Sequence, residues 1–319
     1  MHKQLITILF TVVLTAACSK STETIAGREA IVFRSEVASR AIVEDEAGMR
    51  DGGIGVFGAV VYQGGTVAET IFDNEHLMYE TGKGWYYAEP VRYWIPESKY
   101  VFAGIYPYAE AAYYAFDAQT GVLTVADYES GEGHIDEDLM YASHARDLAL
   151  TTNREAVPLA MHHACAALQF KIINASGSTI TAIEDIALTG LLHNGTLTVQ
   201  SDGTATWTMV DERVAEDDTT TFGGTFAMPE GGFEDDIRNP LPLYDKGIIT
   251  VLPQVLRGQA VKLTMRINGT TEARTVNLSN IADKWEAGKR YVYTMTLTND
   301  TIAFDVTVLD WIEEEIDLN

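Results

Sequence analysis

Short segments in which apolar and polar residues alternate recur along the second half of the chain, and this period of two constrains the fold more than any other feature. Successive side chains of a β-strand point to opposite faces, so alternation predicts strands with one buried face. No helical periodicity of useful length accompanies it, apart from a short turn predicted near residues 162–168. We therefore predict an all-β protein. The alternating or β-branched segments occupy residues 179–191, 195–210, 247–256, 259–269, 272–281 and 289–311.

The first half carries further strand signals. Residues 29–37, 51–65 and 122–126 are rich in Val, Ile and Phe and are bounded by Gly, Ser or charged residues. Such boundaries are typical of strands that end in turns. Between the first two of these segments, residues 39–50 are acidic and punctuated by arginine, which predicts an exposed loop.

Residues 81–108 are dense in aromatic side chains and contain Pro90, Pro96 and Pro107. Proline at this spacing excludes a long helix, so the segment is predicted to form short strands. Exposed aromatic rings stack on sugars, and a surface glycan-binding lipoprotein is therefore an alternative function. The competing interpretation, which alternation favours, places the aromatic side chains Trp94, Phe102 and Tyr106 in the core.

The N-terminus carries an export signal. His2 and Lys3 begin the chain, residues 5–14 are apolar except for Thr, and small residues lead directly to Cys18. This arrangement resembles a bacterial lipobox, which implies that residues 1–17 are a signal peptide and that Cys18 receives a lipid such as palmitate. The polar residues 18–29 would then tether a folded body to the outer membrane.

Composition limits the partners of this chain. Its 319 residues carry a formal net charge of −24, which repels phosphate backbones and disfavours nucleic-acid binding. The length suits two domains, which we assign to residues 30–155 and 156–319. With Cys18 lipidated, Cys165 would have no intrachain partner, so no disulfide is expected.

Several polar clusters are candidates for a metal site or a catalytic site. His162, His163 and Cys165 are adjacent to one another, but neighbouring strand residues face opposite sides and cannot easily share one ion. The acidic clusters do not match a calcium loop. No nucleophile, zinc-protease or phosphate-loop motif is present. We expect no metal, no cofactor and no enzymatic activity.

An ordered series of motifs is similar to the fimbrillin superfamily of Bacteroidales, in particular its Mfa-like (and FimA-like) type V pilus subunits. The resemblance implies two tandem transthyretin-like β-sandwiches and a structural subunit of a cell-surface fimbria with a role in adhesion. It spans almost the whole chain after the tether. The motifs are Trp85, Tyr93–Trp94, Tyr106–Pro107, residues 138–142 and 158–172, the run from Trp285 to Tyr291, and Trp311.

The resemblance also implies an assembly route. Members of the superfamily are lipoprotein precursors that an Arg-specific protease cuts after the first strand, which opens a groove for a strand of another subunit. Arg40 and Arg50 are the candidate cleavage sites, with Arg40 slightly favoured. Ile31, Phe33 and Val37 of the first strand would fill the groove before cleavage.

The candidate donor strand lies near the C-terminus. Ile302, Phe304, Val306 and Val308 alternate as a groove-filling strand should. An equally supported interpretation makes them the last strand of the C-terminal sandwich. The partners implied are other fimbrial subunits, the protease and a host glycan or protein that the sequence does not identify.

Overall fold

The structure is a computed structural model. It describes residues 28–37, 46–109, 114–131, 134, 137–218, 220–223, 232–233, 241–242, 248–298 and 302–311. The signal peptide, Cys18, most of the tether and Arg40 lie outside these residues. Within them the chain is almost entirely β, which confirms the predicted fold class.

The first half contains nine strands and one short helix in the described residues. In chain order they are β1 Phe33–Val37, α1 Glu46–Gly52, β2 Ile54–Val61, β3 Glu69–Glu80, β4 Gly84–Tyr86, β5 Lys99–Tyr106, β6 Tyr114–Asp117, β7 Val122–Glu129, β8 Met140–Asp147 and β9 Val157–His163. Seven of the strands form one sheet in the order β1-β9-β8-β5-β2-β3-β4. Its pairs are antiparallel except for β1 and β9, which run parallel.

The second half contains the remaining described strands and one turn of 3-10 helix. They are β10 Ala166–Asn174, β11 Ile183–Thr189, β12 Asn194–Val199, β13 Ala205–Met209, β14 Leu241–Pro242, β15 Ile249–Val251, β16 Gln254–Val255, β17 Lys262–Ile267, β18 Arg274–Asn277, η1 Leu278–Asn280, β19 Lys284–Trp285, β20 Lys289–Leu297 and β21 Ile302–Asp310. β10 is central to the main sheet, where it pairs with β14, β15 and β20, and β21 lies at the edge beside β20. Strands β11, β17 and β18 form a second sheet.

A third sheet joins the two halves. Its order is β13-β12-β7-β6, so each half contributes two strands. A buried apolar cluster lies at this junction and includes Phe57, Leu123, Leu197 and Trp311. The halves therefore share a core in addition to one of their own each.

β9 lies directly after the division predicted between residues 155 and 156, which stays a prediction. β9 pairs with β1 and β8 in the first sheet, and the chain passes to the second half at the bend formed by Ala164 and Cys165. The strand signals of 157–163 and 166–174 adjoin in sequence. Only the pairing partners show that the two strands belong to different sheets.

Two local predictions fail. Residues 162–168 form no helical turn, because His162 and His163 end β9 and β10 begins at Ala166. Part of the predicted loop 39–50 is helical, since α1 begins at Glu46, and the Met49 side chain is 1% exposed. The charged composition of residues 39–50 does not indicate that the one apolar side chain of α1 apart from alanine, Met49, packs in the core of the first half.

Candidate functional site: the first segment and its place in the sheet

The first segment, residues 28–37, is bonded to the sheet on two sides. The Ile31 N–H donates to the carbonyl of Arg92 at 2.8 Å, and the Val157 N–H donates to the carbonyl of Val32 at 2.8 Å. Strand β1 then continues parallel to β9 from the Phe33–Val157 pair onward. The segment is thus an edge element with backbone bonds to two neighbours.

Side chains of the first segment alternate between core and solvent. Ile31 is 1% exposed and Phe33 is 5% exposed, whereas Val32 between them is 37% exposed. The Phe33 ring meets Phe72 and Phe102 edge-on, with centroid distances of 5.2 and 5.7 Å. Such edge-to-face pairs are favourable in addition to the apolar area they bury. Two predicted groove-filling residues therefore lie in the first core.

The remaining residues predicted around this segment have different surroundings. Val37 ends β1 opposite Met161. Arg40 lies outside the described residues. Arg50 occupies the last turn of α1, where its guanidinium carbon lies 4.1 Å from the centroid of the Tyr79 ring. A protease could reach the Arg50 peptide bond in an extended conformation only after α1 unfolds.

Two clefts flank the first segment. The larger has a volume of about 580 Å³ and the smaller about 260 Å³. Both contain side chains of the segment in their walls, so removal of the segment would join them into one longer groove. The larger cleft is lined by Arg28, Ile31, Val60, Ile71, Arg92, Tyr93, Trp94, Ile95, Pro96, Tyr100 and Arg154.

We call the space that the first segment occupies between its neighbours the slot. The end of this slot near residue 28 is basic. Arg28, Arg92 and Arg154 line the larger cleft. Arg146 places its guanidinium carbon 4.9 Å from the ring centroid of Trp94, which lines the same cleft. Arg154 pairs with Glu29 of the segment at 3.6 Å. This concentration of arginine stands out in a chain of net charge −24.

Acidic side chains lie near the other end of β9, but they have partners of their own. Met140 of β8 pairs with His163 at the end of β9. The Asp138 carboxylate lies 2.8 Å from His163 Nδ1, and the Glu137 carboxylate lies 2.7 Å from His134 Nδ1. Burial and the nearby carboxylates of Asp138, Glu137 and Asp51 together raise the pKa of Tyr106 to about 12. The arginine side chains that line the slot are therefore concentrated at the end near residue 28.

The candidate donor residues lie on β21, which is an edge strand. β21 pairs with β20 over nine residues, from Ile302 opposite Leu297 to Asp310 opposite Lys289. Val306 is half-buried against the second core, but Val308 is 51% exposed. Phe304 lies on the same strand opposite Met295. The segment is thus the last strand of the main second sheet in this structure, with little of its described side-chain surface buried.

Trp311, directly after β21, is the buried anchor of that strand. It is 3% exposed, and its ring stacks on His163 with a centroid distance of 4.1 Å. His163 Nδ1 lies 2.8 Å from the Asp138 carboxylate, and both side chains are buried. The sequence alone does not indicate the pairing of His163 with Asp138, because the two residues are far apart in the chain.

The other candidate metal ligands, His162 and Cys165, do not lie together with His163 on one face. His162 is exposed on the face of β9 opposite to His163, and Cys165 is buried. Burial raises the pKa of the Cys165 thiol well above its usual value. Within the residues that the structure describes, no three His, Cys, Asp or Glu side chains are grouped to hold a metal ion.

The aromatic segment contributes mainly to the first core. Trp94, Phe102 and Tyr106 are all buried, as predicted. Trp85 is half-buried and packs against the same core. These side chains do not form an exposed platform of the kind that sugar stacking requires.

The motif from Trp285 to Tyr291 has a structural explanation. The Trp285 Nε1–H donates to the Tyr293 hydroxyl at 2.9 Å, and the Glu286 N–H donates to the Tyr291 hydroxyl at 3.0 Å. Gly288 between them has a φ of +72°, a conformation that glycine adopts without a steric penalty. The motif forms a tight turn into β20.

Comparison with known proteins identifies the family. A model of fimbrillin-like proteins matches residues 39–311. The chain belongs to the fimbrillin-like family. Members of this family are structural proteins of the cell surface and not enzymes.

Solved structures share the fold of this fimbrillin-like chain. A proposed cell adhesion protein from Bacteroides uniformis is 19% identical, with a TM-score of 0.57 over 89% of this chain and 99% of that one. Another from Bacteroides ovatus is 15% identical, with a TM-score of 0.58 over 90% and 99%. A fimbrial protein from Bacteroides vulgatus is 14% identical, with a TM-score of 0.56 over 89% and 99%. No curated protein matches the chain.

Among the described residues, no helix combines the length and the apolar character that crossing a bilayer requires.

Proposed function

We propose that this chain is the precursor of a fimbrial subunit, tethered to the outer membrane by lipid on Cys18 and assembled by protease-triggered strand exchange. Family membership supports a structural subunit of a fimbria, and the descriptions of the similar solved structures support an adhesive role. The finer steps follow from how the first segment and β21 are attached.

The observation that carries the proposal is the attachment of the first segment. It lies at a sheet edge, it buries Ile31 and Phe33 in the first core, and it is followed closely by the candidate cleavage sites. Its removal would expose apolar surface and unpaired backbone groups along β9. An incoming strand restores both, as in other cases of β-strand addition.

β21 has the properties of a strand that can move to another subunit. It has one strand partner, β20, among the described residues, and Val308 is largely exposed. Most of its described side chains are exposed, and Trp311 directly after it is the buried side chain that must leave the shared core during exchange. In the groove of a neighbour, its alternate apolar residues would take the places of Ile31 and Phe33.

The surroundings of Arg50 disfavour a first cut at that residue. Arg50 lies in a helix packed on Tyr79, so cutting there requires local unfolding. We therefore expect the first cut after Arg40, with a slower cut after Arg50.

The experiment uses the chain from Ser19 onward, treated with an Arg-specific protease. We expect loss of the segment that contains residues 28–37, followed by ladders that resist SDS. Arg40→Gln should delay the ladders and Arg40→Gln with Arg50→Gln should abolish them, whereas the control Arg266→Gln should leave them unchanged. Complete cleavage with only monomers afterwards would refute strand exchange.

A further inference from the structure

We infer that the slot of the first segment selects an acidic strand and orients it antiparallel to β9, with the C-terminal residues 313–317 of a second copy at the arginine-lined end. This inference rests on the proposed strand exchange and adds the direction of the incoming strand and the residues that select it.

The two ends of the slot differ in charge. Arg92, Arg146 and Arg154 belong to the body of the sheet and remain when residues 28–37 leave. At the opposite end, the Asp138 carboxylate is buried and lies 2.8 Å from His163 Nδ1. An acidic segment is therefore attracted to the arginine-lined end of the slot.

The C-terminal segment matches this polarity. Residues 302–319 contain six acidic side chains and no lysine or arginine. Four of the six lie after Trp311, and they are Glu313, Glu314, Glu315 and Asp317. The apolar part of the donor thus comes first and the charge is concentrated at its end.

Arg154 loses an ion-pair partner when the first segment leaves. In the precursor it pairs with Glu29, which leaves together with the first segment. Arg92, by contrast, keeps Glu75 at 2.7 Å, a partner within the body of the sheet. A carboxylate of the incoming tail can take the place of Glu29, and the cleft of about 580 Å³ around Arg154 has room for it.

Direction follows from these positions. The arginine-lined end of the slot is where the first segment begins, and the donor carries its acids where it ends. The donor must therefore run opposite to β1. Because β1 is parallel to β9, the donor becomes antiparallel to β9, and antiparallel pairs are slightly more stable per residue. Exchange would replace a weaker pairing by a stronger one.

The first test measures orientation by crosslinking. The peptide covers residues 301–319 and carries Ile312→Cys. It is added to the protease-treated chain from Ser19 onward, which carries either Tyr93→Cys at the arginine-lined end or His162→Cys at the opposite end. Ten residues of strand separate the two ends by roughly 30 Å, so a short bismaleimide distinguishes them. Cys165 is buried and should not react. We expect crosslinking to position 93, and crosslinking to position 162 would overturn the inference.

The second test measures charge selection. Arg154→Gln should weaken peptide binding about three- to tenfold and reduce its dependence on salt. Arg266→Gln is the matched control, since Arg266 forms an exposed ion pair with Asp185 in the other half at 2.8 Å. Replacing residues 313–315 of the peptide by glutamine should have an effect similar to that of Arg154→Gln.

The outcomes separate this inference from the function on which it rests. If no peptide binds the processed protein, strand exchange itself fails. If the glutamine peptide binds as well as the original peptide, and the original peptide binds Arg154→Gln as well as the unchanged protein, then the strand-exchange proposal stands and charge selection is refuted.

Discussion

Replacing Phe33 by alanine should loosen the first segment while the rest of the chain stays folded. Phe33 is 5% exposed and contacts Phe72, Phe102 and Tyr87 through edge-to-face rings at 5.2, 5.7 and 6.1 Å. Truncation of a buried phenylalanine to alanine typically costs about 3–5 kcal/mol. Since Phe33 lies on an edge strand and the slot can partly close, we expect about 3 kcal/mol, at the lower end of that range.

The control for this change lies next to it in the chain. Val32 belongs to the same segment but is 37% exposed, so Val32→Ala should cost less than about 1 kcal/mol. Both variants keep the backbone bonds that join residues 28–37 to the sheet. The comparison therefore isolates the side chain that fills the core.

Two measurements check the prediction. Hydrogen exchange of the amides of β1 and β9 should become faster by roughly two orders of magnitude in Phe33→Ala, because a factor of ten corresponds to about 1.4 kcal/mol. Cleavage by an Arg-specific protease between β1 and β2 should accelerate in parallel. If Phe33→Ala changed exchange no more than Val32→Ala, the first segment would not be held by groove filling and the reasoning would be refuted.

Three further perturbations test other parts of the structure. Trp311→Ala removes the buried anchor of β21 and should speed amide exchange across that strand, with a cost of about 3 kcal/mol or more, while β2 amides stay protected. Equal exchange of β21 in both proteins would contradict the anchoring role. Tyr293→Phe leaves the buried Trp285 indole N–H without its acceptor and should lower the free energy of unfolding in urea by about 1–3 kcal/mol. An unchanged midpoint would show that the bond contributes nothing. Burial and the nearby Arg146 lower the pKa of His144, so the unfolded chain binds its proton more readily. The contribution of His144 to the free energy of unfolding should be fully present above about pH 6.5 and should be lost as the pH falls below it. His144→Gln should flatten this pH dependence in urea titrations from about pH 5 to pH 8. Identical slopes for the two proteins would exclude a contribution from His144.

Much of the fold could be predicted from local pattern. The alternating segments 195–210 and 289–311 became the pairs β12–β13 and β20–β21, because a period of two specifies both a strand and the face it buries. The core positions of Trp94 and Phe102 followed from the same rule. Patterns of this kind act over a few residues and can be recognised without knowing the partner strand.

Pairing across long distances could not be predicted in this way. The membership of β9 in the first sheet depends on β1 and β8, and the shared sheet depends on β7 meeting β12. The short helix α1 was missed because its composition is that of a charged loop and one apolar residue, Met49, holds it. In each case the deciding contact lies outside the window in which a pattern can be read.

The sequence by itself determined the strand character of this chain, its acidity, its motifs and, through these, its family. Only the tertiary structure decided that β1 runs parallel to β9, that arginine side chains including Arg154 line one end of the slot, and that Trp311 stacks on His163. The physical reason is the distance along the chain between the residues that interact. Alternation and charge are properties of neighbouring residues, whereas strand direction and the polarity of a slot arise when segments far apart in the chain are brought together by burial of a common core.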